Sequence, residues 1–191
     1  LNKHIYKVAV DACNDVYIHN TDLGTTEFHH FITTINGRRF QVLAIAGTNE
    51  ALDWLKNFNL LSWQNIKLPA YRAAHQINDK IKHQLKRFDH LPLLVCGHSK
   101  AGATAIAFKR LFGADYCVAF APARSLRHWA KLKMSNTTIF IDPDDLVSKL
   151  AFISFTHPKC RVFKAREDHL LFSISDHVMK HWVEFVNNMF D

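Results

Sequence analysis

The sequence predicts an α/β protein in one domain, with a mostly parallel central sheet flanked by helices. Strand-type and helix-type segments alternate along the 191 residues, the order that βαβ crossovers impose. The run Leu91–Cys96 is short and almost continuously apolar, as expected of a strand covered on both faces. No repeat, low-complexity linker or break in composition marks a second domain, so residues 1–191 are read as a single unit.

The elements follow in order. An opening helix is expected from about Ile5 to Ile18. Thr25–Ile35, rich in Thr, Phe and Ile, reads as a strand. Asn36-Gly37 is a hairpin signal because both residues tolerate positive φ, and Phe40–Ala46 forms the returning strand, running into Gly47. Between Ala70 and Phe88 the apolar positions Ala74, Ile77, Ile81, Leu85 and Phe88 recur every three or four residues, with Lys80, Lys82, Lys86 and Arg87 between them. That spacing predicts an amphipathic helix with a basic outer face. After Leu91–Cys96 come a helix from about Lys100 to Phe112 and a strand at Tyr116–Phe120. A β-branched strand follows at Thr137–Ile141, and Cys160–Phe163 carries a fainter strand signal. A closing helix from Asp176 to about Met189 places Val178, Trp182, Phe185, Val186 and Met189 on one side.

Composition narrows the function classes. Hydrophobic residues at 48% and charged residues at 21% describe a chain able to bury a core without disulfide staples. No stretch approaches the roughly 20 apolar residues of a membrane helix. The start at Leu1 is read as a trimmed N-terminus, and LNKHIYKVAVDAC carries charges where a signal peptide needs an apolar core. Cys13, Cys96, Cys117 and Cys160 are scattered, two of them inside apolar runs; they are read as reduced thiols, which points to a cytoplasmic location. The formal charge of +7 favours an anionic partner such as a lipid surface or an acidic substrate. The cations are spread rather than gathered into an arm, so no nucleic-acid partner is expected.

Chemistry concentrates at Gly97-His98-Ser99-Lys100-Ala101-Gly102-Ala103. A buried strand enters a tight turn of small residues, and a helix begins at once. Such a turn holds its serine above the strand end, where a bulky neighbour would collide with strand or helix. Backbone N–H groups of the helix N-terminus then face the hydroxyl and can stabilise developing negative charge. Alanine at position 101 stands where the G-x-S-x-G pattern has its last glycine. A Gly-rich turn with an incidental serine is the plain structural alternative.

A second segment, Ala46-Gly47-Thr48 followed by Asp53-Trp54, carries a resemblance when joined to the first. The chain resembles the class 3 lipases, the fungal triacylglycerol lipase family of the α/β-hydrolase superfamily. Their hallmarks are R-G-T/S before a D-W helix, G-H-S-L-G-G-A, and a later N-x-x-D-x-V, here Asp142-Pro143-Asp144-Asp145-Leu146-Val147. The likeness runs from about Gln41 to Val147 and more loosely to the C-terminus. It implies Ser99 as nucleophile, Asp145 as triad acid, and the N–H groups of Thr48 and Lys100 as the oxyanion hole. Ala46, Lys100 and Ala101 depart from the family's Arg, Leu and Gly, yet none of these changes removes a reacting group.

Independently of the resemblance, Asp142, Asp144 and Asp145 follow a strand, and carboxylates there lie at the ligand edge of an open parallel sheet. Asp145 is favoured and Asp142 comes next, while at least one of the three suits a capping role. The histidine should follow the acid in chain order, leaving His157, His169, His177 and His181. His177, in Ser175-Asp176-His177 where the last helix begins, is favoured, with His169 as its rival. No metal or organic cofactor is expected: no H-E-x-x-H, completed ligand set or phosphate loop is present.

The expected activity is therefore hydrolysis of carboxylic esters by a lipase or esterase, through a Ser-His-Asp triad and an acyl-enzyme. Two alternatives stay open: a phospholipase A1 acting on anionic phospholipid, and a catalytically inactive α/β-hydrolase-like binding protein. The apolar interval Phe58–Pro69 is read either as a small flap or as residues buried against the sheet.

Overall fold

The computed structural model describes residues 3–19, 27–46, 67–124, 126–127, 132–143, 155–165 and 179–189. Among these residues four helices, α1 (Lys3–His19), α2 (Lys67–Arg87), α3 (Lys100–Phe112) and α4 (Met179–Asn188), surround a six-stranded sheet. Its strands are β1 (Phe28–Ile35), β2 (Arg38–Ile45), β3 (Leu93–His98), β4 (Tyr116–Phe120), β6 (Lys133–Ile141) and β8 (Lys159–Lys164), in the order β1-β2-β3-β4-β6-β8. Only β1 runs antiparallel to its neighbour. Two short strands, β5 (Leu126–Arg127) and β7 (Phe155–Thr156), pair separately. The sequence reading anticipated neither.

Several boundaries differ from expectation. The hairpin at Asn36-Gly37 forms with φ of 50° and 76°, matching a type I′ turn. Helix α2 starts at Lys67, so the end of the Phe58–Pro69 interval is helical, while residues 58–66 lie outside the described ones. β3 continues through His98, and β6 begins at Lys133 rather than Thr137. The start of the last helix, 176–178, lies outside the described residues.

Because side chains alternate along a strand, each central strand feeds two cores. Val42, Ala44, Leu94, Cys96, Val118, Phe120 and Phe140 face α1 and α4. Leu43, Ile45, Val95, Cys117, Ala119 and Ile139 face α2 and α3. On the first face, register places Phe120 beside Phe140 and Phe140 beside Phe163. Their rings stack at 5.0 and 5.1 Å, and Tyr6 from α1 meets Phe140 and Phe163 edge-on. Trp182 from α4, fully buried, closes the cluster over Phe120 and Phe140. Aromatic pairs of this geometry add about 0.5–1.5 kcal/mol each beyond their area, so they fix α4 against the sheet.

A buried amide ties the other face together. Gln41 Nε2 donates to the Phe88 carbonyl at 2.8 Å, and Gln41 Oε1 lies 3.1 Å from His30 Nε2. The chain leaving α2 is thereby held onto β2, and a polar group deep in the sheet is satisfied. The four cysteines are unbridged thiols. None of the described helices is long and apolar enough to cross a membrane.

Candidate active site

Ser99 occupies the one-residue junction between β3 and α3, with φ 57° and ψ −125°. A side chain in that region is strained, at roughly 1–3 kcal/mol, and persists only where the surroundings enforce it. They do so here through the backbone. Ser99 N–H donates to the Phe120 carbonyl at 2.9 Å, while the Ser99 carbonyl accepts from Ala103 N–H at 3.3 Å and Ala123 N–H at 3.4 Å. The next strand ends in a second strained residue, Ala121 at φ 41°, whose N–H donates to the Phe140 carbonyl at 2.8 Å. The Ala121–Ala123 segment therefore braces the serine from the neighbouring strand. Nothing in the sequence marked this segment except Pro122.

Close approach explains the glycines. A Cβ on Gly97 would stand 2.5 Å from the Ala101 carbonyl oxygen, and one on Gly102 would stand 3.0 Å from Pro122 Cβ and 3.1 Å from the Gly97 oxygen. Gly97 and Gly102 thus let β3, α3 and the Pro122 segment converge. Position 101 accommodates its methyl, buried within the helix, so the departure from G-x-S-x-G leaves the turn intact.

Ser99 is only 5% exposed, at the carboxyl end of β3 and the N-terminus of α3. The first N–H groups of a helix lack intrahelical acceptors, and Lys100 supplies the first of them. No acidic residue sits in that first turn, so the positive end of the helix is left uncompensated by a local carboxylate. The Lys100 side chain is half-buried and has no ion-pair partner among the described residues. Arg124, also half-buried, follows Ala123 at the same sheet edge, where burial lowers its pKa from the usual guanidinium value.

Of the expected acids and histidines, Asp142 and His181 are brought together. Asp142, 1% exposed, follows β6 at the carboxyl edge, and its Oδ2 lies 3.6 Å from His181 Nε2 on α4. The His181 ring also packs edge-on against Trp182 at 5.0 Å. Sequence reasoning held Asp142 second among the acids and His181 among four histidines, without pairing them. Thr48, Asp145, His177 and the rival His169 lie outside the described residues. His157 lies between β7 and β8, half-buried. Among the described residues no three His, Cys, Asp or Glu side chains gather as a metal site.

Solved structures share this fold. The triacylglyceride lipase of Rhizomucor miehei matches at a TM-score of 0.54 and 14% identity, over 86% of this chain and 79% of that one. The Lip2 lipase of Yarrowia lipolytica matches at 0.55 and 14%, over 86% and 77%. The protein MDLA of Penicillium cyclopium matches at 0.56 and 17%, over 91% and 82%. The fold is α/β-hydrolase-like. At such identities the likeness is one of fold. No protein-family model matches the sequence, and no curated protein matches it. Within the lipase-like fold, the strained serine stands at the carboxyl edge of the parallel strands, where open α/β sheets carry their ligands.

Proposed function

We propose that the chain is a serine carboxylester hydrolase, a lipase or esterase, with Ser99 as nucleophile. The observation that carries this reading is the backbone of Ser99, held at positive φ on a glycine-packed strand-to-helix bend in a lipase-like fold. In the proposed reaction His177 takes the Ser99 proton as Oγ bonds to the ester carbonyl carbon. Asp145 orients the imidazole and stabilises its cation. Thr48 N–H and Lys100 N–H hold the tetrahedral oxyanion. Collapse expels the alcohol, which takes the proton from His177; water, deprotonated by the same ring, then releases the acid and restores Ser99. Within this reading the Asp142–His181 contact is a positioning element: it anchors α4, four residues beyond His177, to the strand that precedes Asp145.

The test is labelling by a fluorophosphonate probe together with turnover of a p-nitrophenyl ester. Ser99→Ala is expected to abolish labelling and to lower turnover by roughly 10⁴-fold or more while the protein stays folded. An unchanged rate ends the proposal. A folded wild-type protein that neither labels nor turns over ester favours the inactive binding protein.

One observation supports a narrower reading, phospholipase A1 action on anionic phospholipid. Lys100 and Arg124 place two half-buried cations at the serine's edge of the sheet, where a headgroup phosphate would be favoured. Faster fatty-acid release from phosphatidylglycerol than from neutral glycerides is its expected signature.

A further inference from the structure

The opposite end of the sheet carries a second feature, a cleft of about 560 Å³ between β6 and β8. It is lined by Lys133, Ser135, Asn136, Thr137, Lys159 and Arg161, with Met134 and Cys160 behind them. Its origin is an irregularity in strand pairing. From the pair Lys133–Lys159 to the pair Thr138–Arg161, β6 advances five residues while β8 advances two. The surplus residues bulge out, and Asn136 takes φ 50° to make the bend. Bulges of this kind re-aim side chains and recur where strands serve a purpose beyond pairing.

The charge placed there is unfavourable for the protein alone. Lys133 and Lys159 are register partners on adjacent strands, so two ammonium-bearing side chains leave backbones roughly 4.8 Å apart. Like charges directly opposite one another destabilise a sheet. Arg161 adds a third cation, and no lining residue is acidic. The guanidinium is held: Arg161 Nη1 donates to Tyr6 Oη at 3.4 Å, and that buried phenol lies 3.4 Å from Thr138 Oγ1. One of five N–H donors is thus engaged, and Arg can present others as a fork. Ser135 and Asn136, both exposed on the bulge, add neutral donors.

We propose that this cleft binds a soluble phosphate, as the free ion or as a phosphomonoester, held by Lys133, Lys159 and Arg161. A tetrahedral dianion satisfies the fork and relieves the facing ammonium groups, and charge-assisted contacts of this type are the strong ones. The site is separate from the serine: the cleft opens at the amino ends of the parallel strands, roughly 15 Å along β8 from the level of Ser99. A membrane engaged at this end would leave Ser99 facing away from it, so the geometry favours a soluble ligand over a lipid headgroup.

The experiment is titration of the full chain with inorganic phosphate, against sodium chloride at matched ionic strength, read by calorimetry and by melting temperature. Saturable binding and a phosphate-specific rise in melting temperature are expected. The double variant Lys133→Gln/Lys159→Gln should weaken binding roughly tenfold or more, as loss of a charge-assisted contact implies. It should also melt no lower than the wild type without phosphate, since a repulsion has been removed. Lys80→Gln/Lys82→Gln, on the outer face of α2, should bind as the wild type does. Absence of saturable binding, or equal loss in the α2 variant, overturns the proposal. So does binding confined to phosphatidylglycerol vesicles with none to free phosphate.

Discussion

Replacing Gly97 by alanine tests whether the bend at Ser99 is held by contact or merely tolerated. The added methyl would lie 2.5 Å from the Ala101 oxygen and 2.6 Å from its carbonyl carbon, against 3.4–4 Å for ordinary contact. Both obstacles are backbone atoms of the first turn of α3, so no side-chain rotation relieves them. Nor can the helix simply retreat. Its inner residues Ala103, Ala105, Ile106, Ala107 and Phe108 are buried, and Gly102 already sits against Pro122. A shift of roughly 1 Å is needed, and overpacking of this kind costs about 1–3 kcal/mol. For a chain of this size that lowers the melting temperature by roughly 3–10 °C. The same shift displaces Ser99 from its N–H donors, and a misplacement of about 1 Å can cost roughly 10²-fold in rate. The assay pairs thermal unfolding with the rate of fluorophosphonate labelling, and Gly37→Ala is the comparison. At Gly37 the space is open and only φ, at +76°, requires glycine. That variant should lose about 1–2 kcal/mol and keep its labelling rate. Wild-type melting together with wild-type labelling in Gly97→Ala would refute the packing account.

Two further outcomes follow from the buried polar groups. Removing one partner of a buried polar contact costs the desolvation of the other, so Asp142→Ala should lower stability by about 1–3 kcal/mol in chemical denaturation. A stable Asp142→Ala protein that no longer labels would instead move the acid role from Asp145 to Asp142. The thiols give a pH dependence. Burial pushes the Cys160 thiol up from 9.0 to about 11, and burial raises Cys13 and Cys117 as well, with Cys96 adding to the rise at Cys13. The folded state therefore binds protons that the unfolded chain releases. Stability from these groups is full below pH 9 and declines as pH climbs toward 11. Denaturation midpoints between pH 8 and 11 check the sign, and native-state alkylation by iodoacetamide at pH 8 should be slow.

The central elements were legible because their signals are local. Tyr116–Phe120 is found where the apolar run placed it, and α3 ends at Phe112 because Gly113 turns left-handed at φ 79°. The first half of β6 was not legible. Lys133–Asn136 is polar but for Met134 and is bulged, and its pairing is decided by β8 rather than by its own hydrophobicity. β8, an edge strand exposed or half-buried along its whole length, gave only a faint pattern for the same reason. At the site, small residues around Ser99 announced a turn, but the brace from Ala121 to Ala123 depends on which strand lies next to β3. The Asp142–His181 contact joins residues 39 positions apart, which no spacing rule reaches.

The packing of α4 across α1 bears on how the chain is made. Lys7 Nζ donates to Asn187 Oδ1 at 2.8 Å, so one of the earliest described segments is completed by one of the last. During synthesis, at roughly 5–20 residues per second, the side of α1 that meets α4 waits until residues 179–188 have left the ribosome. For that interval the strip of α1 that α4 finally covers stays open on the nascent protein, while the rest of the helix can already rest on the sheet through residues such as Tyr6.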